Sequence, residues 1–183
     1  SVTTEAEVTV GASSVGSSPG NSGGASASAP PAATPTTPTV SINVGNAGPR
    51  VSSFTASGPI NATSGQVIAG VRIQNPGGPC INIVGVTNVV VRDPDIGPCG
   101  GEAVNVSGGS SSVTIEYNAI RDSAHGVRAT HSSSVNTLGN AIRDIPAAAG
   151  EYRHAIEYSW MNGGTVQGNV MTGTFPNDVM SGY

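Results

Sequence analysis

Five side chains able to do acid, base or ligand chemistry fall in the C-terminal half of the chain at related intervals: Glu102, His125, Arg128, His154 and Glu157. If those intervals mark equivalent places in stacked repeats, Glu102, His125 and His154 share one column, and Asn105, Arg128 and Glu157 share the next. Two imidazoles one repeat apart beside Glu102 are the donor types a transition metal takes. Paired carboxylates are the groups that hydrolyse glycosidic bonds. The competing reading is structural, with polar groups lining the solvent edge of the repeats. Arg128 and Glu157 are then a rung-to-rung ion pair worth under ~1 kcal/mol at a surface. The structural reading is the expectation, with no catalytic residue and no metal assigned.

The elements that position these residues are short strands. Cys80-Ile-Asn-Ile, Ala103-Val-Asn-Val, Gly126-Val-Arg-Ala, Ala155-Ile-Glu-Tyr and Asp178-Val-Met-Ser repeat one pattern, with second residues at 81, 104, 127, 156 and 179. The steps are 23, 23, 29 and 23, and a fixed step of this size indicates stacked coils. The long step contains Pro146-Ala-Ala-Ala-Gly150, which reads as a loop pushed out of one coil. Within each coil Ile81 and Ile83, or Val104 and Val106, point one way and Asn82 or Asn105 the other, the period of a strand. Val89-Val-Val91, Val113-Thr-Ile115 and Val135-Asn-Thr137 mark a second strand per coil. Helical periodicity is absent, and Gly, Ser, Asn, Thr and Val dominate.

With a coil near 23 residues, Asn118, Asn140 and Asn169 at successive turns, and Gly70, Gly85, Gly108, Gly139 and Gly168 at corners, residues 57–183 resemble a right-handed parallel β-helix of the pectate-lyase-like type. The turn asparagines are expected to adopt the left-handed conformation and to form an amide ladder along the axis. Pro94 interrupts that column. The resemblance implies a fold and, by itself, no chemistry. Polysaccharide lyases of this type use an arginine base and acidic residues that hold calcium. That implies Arg128 with Asp122, or Arg153 with Glu157, in those roles if the chain is a lyase, and calcium as the cofactor of that alternative; otherwise no cofactor is expected. The residues of the enzyme alternative are then His125, Arg128, His154 and Glu157.

Composition narrows the class. All seven basic residues are arginine, and the net charge is −4 with 10% charged residues. Nucleic acid is excluded as a partner, since binding it needs a basic stripe that displaces counterions. No apolar run is long enough to span a bilayer as a helix. Cys80 and Cys99 lie 99 − 80 = 19 residues apart, nearly one revolution, so a disulfide between adjacent coils is expected, in an oxidising compartment.

The N-terminal part is a different material. Residues 1–10 alternate strictly, with Val2, Ala6, Val8 and Val10 on one face and Glu5 and Glu7 on the other, as an amphipathic strand does. Residues 11–38 contain no charge and one bulky apolar residue, Val15, which suits a tether. Residues 39–56 read as an extended lead-in, with Val40-Ser-Ile-Asn-Val44 as a second strand. The last repeat opens at Val179 and the sequence stops at Tyr183 without a polar cap. These features lead to an expected all-β structural subunit of an extracellular or virion fibre, secreted or on a virion surface. It would polymerise with copies of itself, head to tail through its coil ends, and donate the strand carrying Val2, Ala6, Val8 and Val10 to a neighbour. Val179 and Tyr183 would lie at the stacking end. The alternatives are a carbohydrate-active β-helix enzyme acting on polysaccharide, or a glycan- or receptor-binding fibre protein.

Overall fold

The computed structural model describes residues 8–10, 44–146, 151–175 and 180–182. The first strand, β1 (Val8–Val10), precedes the solenoid. The first coil holds β2 (Thr55–Ser57), β3 (Ile60–Asn61) and β4 (Val67–Ala69), and the second holds β5 (Val71–Asn75), β6 (Ile81–Val84) and β7 (Val90–Arg92). The third has β8 (Asp95–Cys99), β9 (Val104–Ser107) and β10 (Ser111–Glu116), and the fourth β11 (Ala119–Arg121), β12 (Val127–Thr130) and β13 (Ser133–Leu138). β14 (Ala141–Arg143), β15 (Ile156–Ser159) and β16 (Asn162–Gln167) make the fifth, followed by β17 (Val170–Thr172) and β18 (Met180–Gly182). Every third strand stacks in parallel, giving three six-stranded sheets. β4 to β16 form the first sheet together with β1, β2 to β17 the second, and β3 to β18 the third. This is a parallel β-helix. No α-helix occurs among the described residues.

In-register parallel pairing stacks residues of equal rank. Ile60, Ile81, Val104, Val127 and Ile156 are successive partners in the third sheet, and Ile81, Val104, Val127 and Ile156 are all but fully buried. Coils rise by about 4.8 Å, so these side chains touch their counterparts above and below. Each fully buried aliphatic contributes roughly 1.5–3 kcal/mol. Tyr158 stands inward where the neighbouring coil has Ala129. Its hydroxyl meets the Thr137 hydroxyl at 2.8 Å and donates to the Val135 carbonyl at 3.1 Å, and burial pushes its pKa well above the usual phenol value.

Several expectations change in detail. The partner of Ile156 is Met180, so the last coil is entered one residue later than Val179, which itself lies outside the described residues. The solenoid begins at Thr55, paired with Val71, rather than at residue 57. Ile60-Asn61 pairs with Ile81-Asn82 and is a further copy of the repeat, 21 residues before it. Of the expected strand 40–44 only Val44 is described, and it opens a 3₁₀ turn, Val44–Asn46. The loop insertion falls between β14 and β15, with residues 147–150 outside the described set.

The asparagine column is inside the solenoid, and its residues are not the left-handed ones. Positive φ belongs to the preceding position, occupied by Gly70, Asp93, Tyr117, Gly139 and Gly168. That turn aims each asparagine inward. The Asn118 backbone and amide N–H groups both donate to Asn140 Oδ1, at 3.0 and 2.7 Å. Asn140 repeats the pattern on Asn169 Oδ1 at 2.9 and 2.8 Å. The three amides also donate to the carbonyls of Val91, Ile115 and Thr137 respectively, so at the corner where the chain leaves the first sheet these carbonyls are satisfied from within, while Asn118 Oδ1 at the lower end of the column has no partner. Disulfide Cys80–Cys99 fastens the second coil to the third, with Cα atoms 5.7 Å apart.

The lead-in runs down that same corner, against the direction of coil growth. Gly48 N–H donates to the Gly139 carbonyl, Arg50 N–H donates to Asp93 Oδ1, the Arg50 guanidinium lies on the Tyr117 ring, and Thr55 N–H reaches the Gly70 carbonyl. Residue 48 therefore sits at the fourth coil, close to the upper edge of the first sheet. β1 pairs there in antiparallel fashion with β16, Val8 opposite Val166 and Val10 opposite Gly164. The strand expected to reach a neighbouring subunit thus lies on its own chain's edge. The lead-in explains this, since it returns the N-terminal segment to the top of its own solenoid, where the effective concentration of that edge is highest. Val2 and Ala6 lie outside the described residues, as does Tyr183.

Candidate functional site

The outward column of the third sheet begins as an asparagine ladder. Asn82 Nδ2 donates to Asn61 Oδ1, and Asn105 Nδ2 to Asn82 Oδ1, each at 3.2 Å. In the fourth and fifth coils the column becomes Arg128 and Glu157, which are register partners. Two residues before each strand stand Glu102, His125 and His154, whose backbone carbonyls accept from Cys80, Ala103 and Gly126. The ladder fixes their spacing. Gly126 permits it, because a Cβ there would lie 2.4 Å from the Ala155 carbonyl oxygen.

The side chains converge on Glu157. Its Oε2 lies 3.3 Å from Arg128 Nε, 3.3 Å from His125 Nδ1 and 3.9 Å from His154 Nδ1, while Oε1 accepts from the Ser159 hydroxyl at 3.1 Å. Arg128 also donates to Glu102 Oε1 at 3.2 Å. The two rings stack with centroids 5.8 Å apart, and the His154 backbone N–H donates to His125 Nδ1 at 3.3 Å. That bond uses the lone pair of neutral His125. Burial lowers the His125 pKa below the ordinary imidazole value, opposed by Glu157 and reinforced by Arg128. The Nδ1 of His154 and the Nε of Arg128 are buried without a hydrogen-bond partner.

The sequence columns are therefore real neighbours, with one rearrangement. Glu102 pairs with Arg128, and Glu157 is the carboxylate that meets both imidazoles. Asp122 lies apart at a sheet-two corner, 3.9 Å from Arg121 Nε. Arg153 pairs with Glu151, at 2.8 Å, rather than with Glu157.

Trp160, one of the few aromatics in the sequence able to stack on a sugar, stands beside this cluster and pairs with His131, outside the sequence columns. Gly85, Gly108, His131 and Trp160 occupy one corner after the third-sheet strand, all with positive φ. Glycine takes that conformation without penalty, whereas another residue costs roughly 1–2 kcal/mol. Trp160 nevertheless stands there, 68% exposed and stacked on His131 with centroids 4.6 Å apart. It follows Glu157 by three residues, about 10 Å along the strand. The signal was present in the sequence as an aromatic at a glycine position of the repeat.

A second concavity lies between the lead-in and the second sheet. This groove of about 420 Å³ is lined by Pro49, Val51 and Phe54 on one side and Asp95, Arg121 and Arg143 on the other. Asp95 is shared by Arg72, at 2.7 Å, and Arg121.

Three parallel sheets wound coil on coil, with an internal asparagine ladder and a polar cluster on one outer face, define a β-helix of the solenoid class. The family model for a right-handed β-helix region matches residues 48–173. The chain belongs to the right-handed β-helix family. No significant match was found among curated proteins or solved structures.

Proposed function

We propose that this chain is a carbohydrate-active β-helix domain that binds a neutral glycan along the outer face of its third sheet. Trp160 backed by His131 is the stacking platform, and Glu102 and Glu157 are the carboxylates that would act as acid and base on the glycosidic bond. The observation that carries this reading is Trp160, an exposed indole held in left-handed backbone where earlier coils use glycine. Strain kept at an exposed aromatic beside a charged cluster points to use. Charge favours a neutral chain over a polyuronate, because two carboxylates face one guanidinium and Arg128 is engaged by both. For the same reason Arg128 makes a poor lyase base, and a guanidinium between two carboxylates does not suit calcium, which wants six to eight oxygen ligands.

The head-to-tail fibre is less well supported, since the antiparallel β1 occupies the β16 edge that a stacked copy would need in parallel. The disulfide supports export to an oxidising environment, extracellular or at a virion surface.

Trp160 is the sole tryptophan, so intrinsic fluorescence reports this site alone. Titration with soluble xylan, β-glucan and galactan should shift the emission, and polygalacturonate should not. Trp160→Gly should abolish retention of the protein in gels containing the bound glycan while leaving the fold intact. Glu102→Gln and Glu157→Gln should each lower release of reducing ends by ~10²–10⁴-fold, the usual weight of a general acid or base. No response to any neutral glycan, or retention unchanged in Trp160→Gly, would overturn the proposal.

A further inference from the structure

We infer that His125, His154 and Glu157 form a binding site for one divalent transition-metal ion of the zinc type. The inference stands on the same cluster but does not depend on the glycan reading; with the ion bound, Glu157 is a ligand and no longer a free acid or base, so the two roles exclude each other at that residue. One ligand atom from each residue lies within 4.8 Å of the others. Two separations to Glu157 Oε2, 3.3 Å from His125 Nδ1 and 3.9 Å from His154 Nδ1, suit atoms bound to a common ion at about 2.0–2.2 Å, with His125 Nδ1 giving its lone pair to the ion in place of the long bond from the His154 backbone N–H. Closing the remaining pair takes a small side-chain adjustment.

The second observation is independent of that spacing. His154 is 9% exposed, and its Nδ1 lies buried without a hydrogen-bond partner while facing Glu157 Oε2. A buried nitrogen left in that state destabilises the fold, and coordination would satisfy it. The frame is preorganised, since the two histidines sit in backbone-bonded positions of adjacent coils and Glu157 is anchored through Oε1 by Ser159. Two imidazoles and one carboxylate are the donor set of sites that keep a further position for water, and they select zinc, nickel or copper over calcium or magnesium. Arg128 is the one adverse charge. Its side chain is 41% exposed and holds Glu102 as a second partner, so it can keep that pair while Glu157 turns to the ion.

The test is calorimetric titration of the untagged, chelator-stripped full chain with zinc chloride alone. One equivalent should bind, with a matching rise in melting temperature, and cobalt(II) should give a visible absorption of tetrahedral or five-coordinate type. His125→Ala, His154→Ala and Glu157→Gln should each weaken zinc at least tenfold, with sheet dichroism confirming that each variant is folded. Trp160→Ala should bind zinc within about twofold of the parent, which separates this site from the glycan platform. Absence of stoichiometric zinc and cobalt binding by the parent chain would overturn the inference. Zinc binding retained in both folded histidine variants would overturn it too.

Discussion

Replacing Pro94 by asparagine should make this solenoid more stable. The oxygens of Asn140 and Asn169 each accept a backbone and a side-chain N–H from the coil before, whereas Asn118 Oδ1 is buried and has no partner. The pairing of Ala119 with Asp95 places Pro94 opposite Asn118, and proline has no N–H to give. Pro94→Asn supplies the backbone donor and an amide donor to that oxygen. The same amide can reach the Ile68 carbonyl, the counterpart of Val91, its register partner, in the ladder. Three bonds at a net ~1 kcal/mol each, set against ~0.4–1 kcal/mol for lost proline rigidity, leave a gain of about 2 kcal/mol. At about 2–4 °C per kcal/mol for a chain of this size, the thermal midpoint should rise by roughly 4–8 °C. Thermal unfolding followed by far-ultraviolet dichroism measures it. Pro94→Ala restores the backbone donor alone and should fall between parent and asparagine variant. A midpoint for Pro94→Asn at or below that of Pro94→Ala would refute the reasoning.

The opposite change, Asn140→Ala, strands donors of Asn118 and the Ile115 carbonyl in the interior and should cost ~3–5 kcal/mol, read as a lowered urea midpoint with unchanged slope. Reducing Cys80–Cys99 should destabilise by about 3 kcal/mol for a loop of this length, and alkylation of the denatured, unreduced chain should label neither cysteine. Because burial depresses the His125 pKa, the unfolded chain takes up its proton first as pH falls through the ordinary imidazole value near 6.5. Stability should therefore drop between pH 7.5 and 5.5 and level off below the folded pKa, and the His125→Gln variant should lose that component. Deleting residues 1–10 uncovers the β16 edge, so self-association measured by sedimentation should increase; unchanged or reduced association would show that β1 is not an edge cover.

The coil period, the inward Ile and Val columns, the internal asparagines and the cysteine pair were legible because parallel in-register stacking maps equal rank in sequence onto contact in space. Local pattern therefore carried tertiary information, down to the neighbouring placement of His125 and His154. Where rank was ambiguous the pattern failed, as at Met180 against Val179, and at Ile60, whose 21-residue step departs from the usual period. The turn conformation could not be assigned from the asparagines themselves, since the backbone reversal sits one residue earlier and accepts Asp93 and Tyr117 as well as glycine. Only the folded chain decided that Glu157 rather than Glu102 meets both imidazoles, because that depends on how side chains of different length lean between coils. The path of the lead-in was likewise invisible, being held by scattered contacts of Gly48 and Arg50 with residues 43 to 91 positions away. That path sets where β1 docks: alternation made residues 1–10 a strand, and the return of the chain to the fourth coil chose its partner.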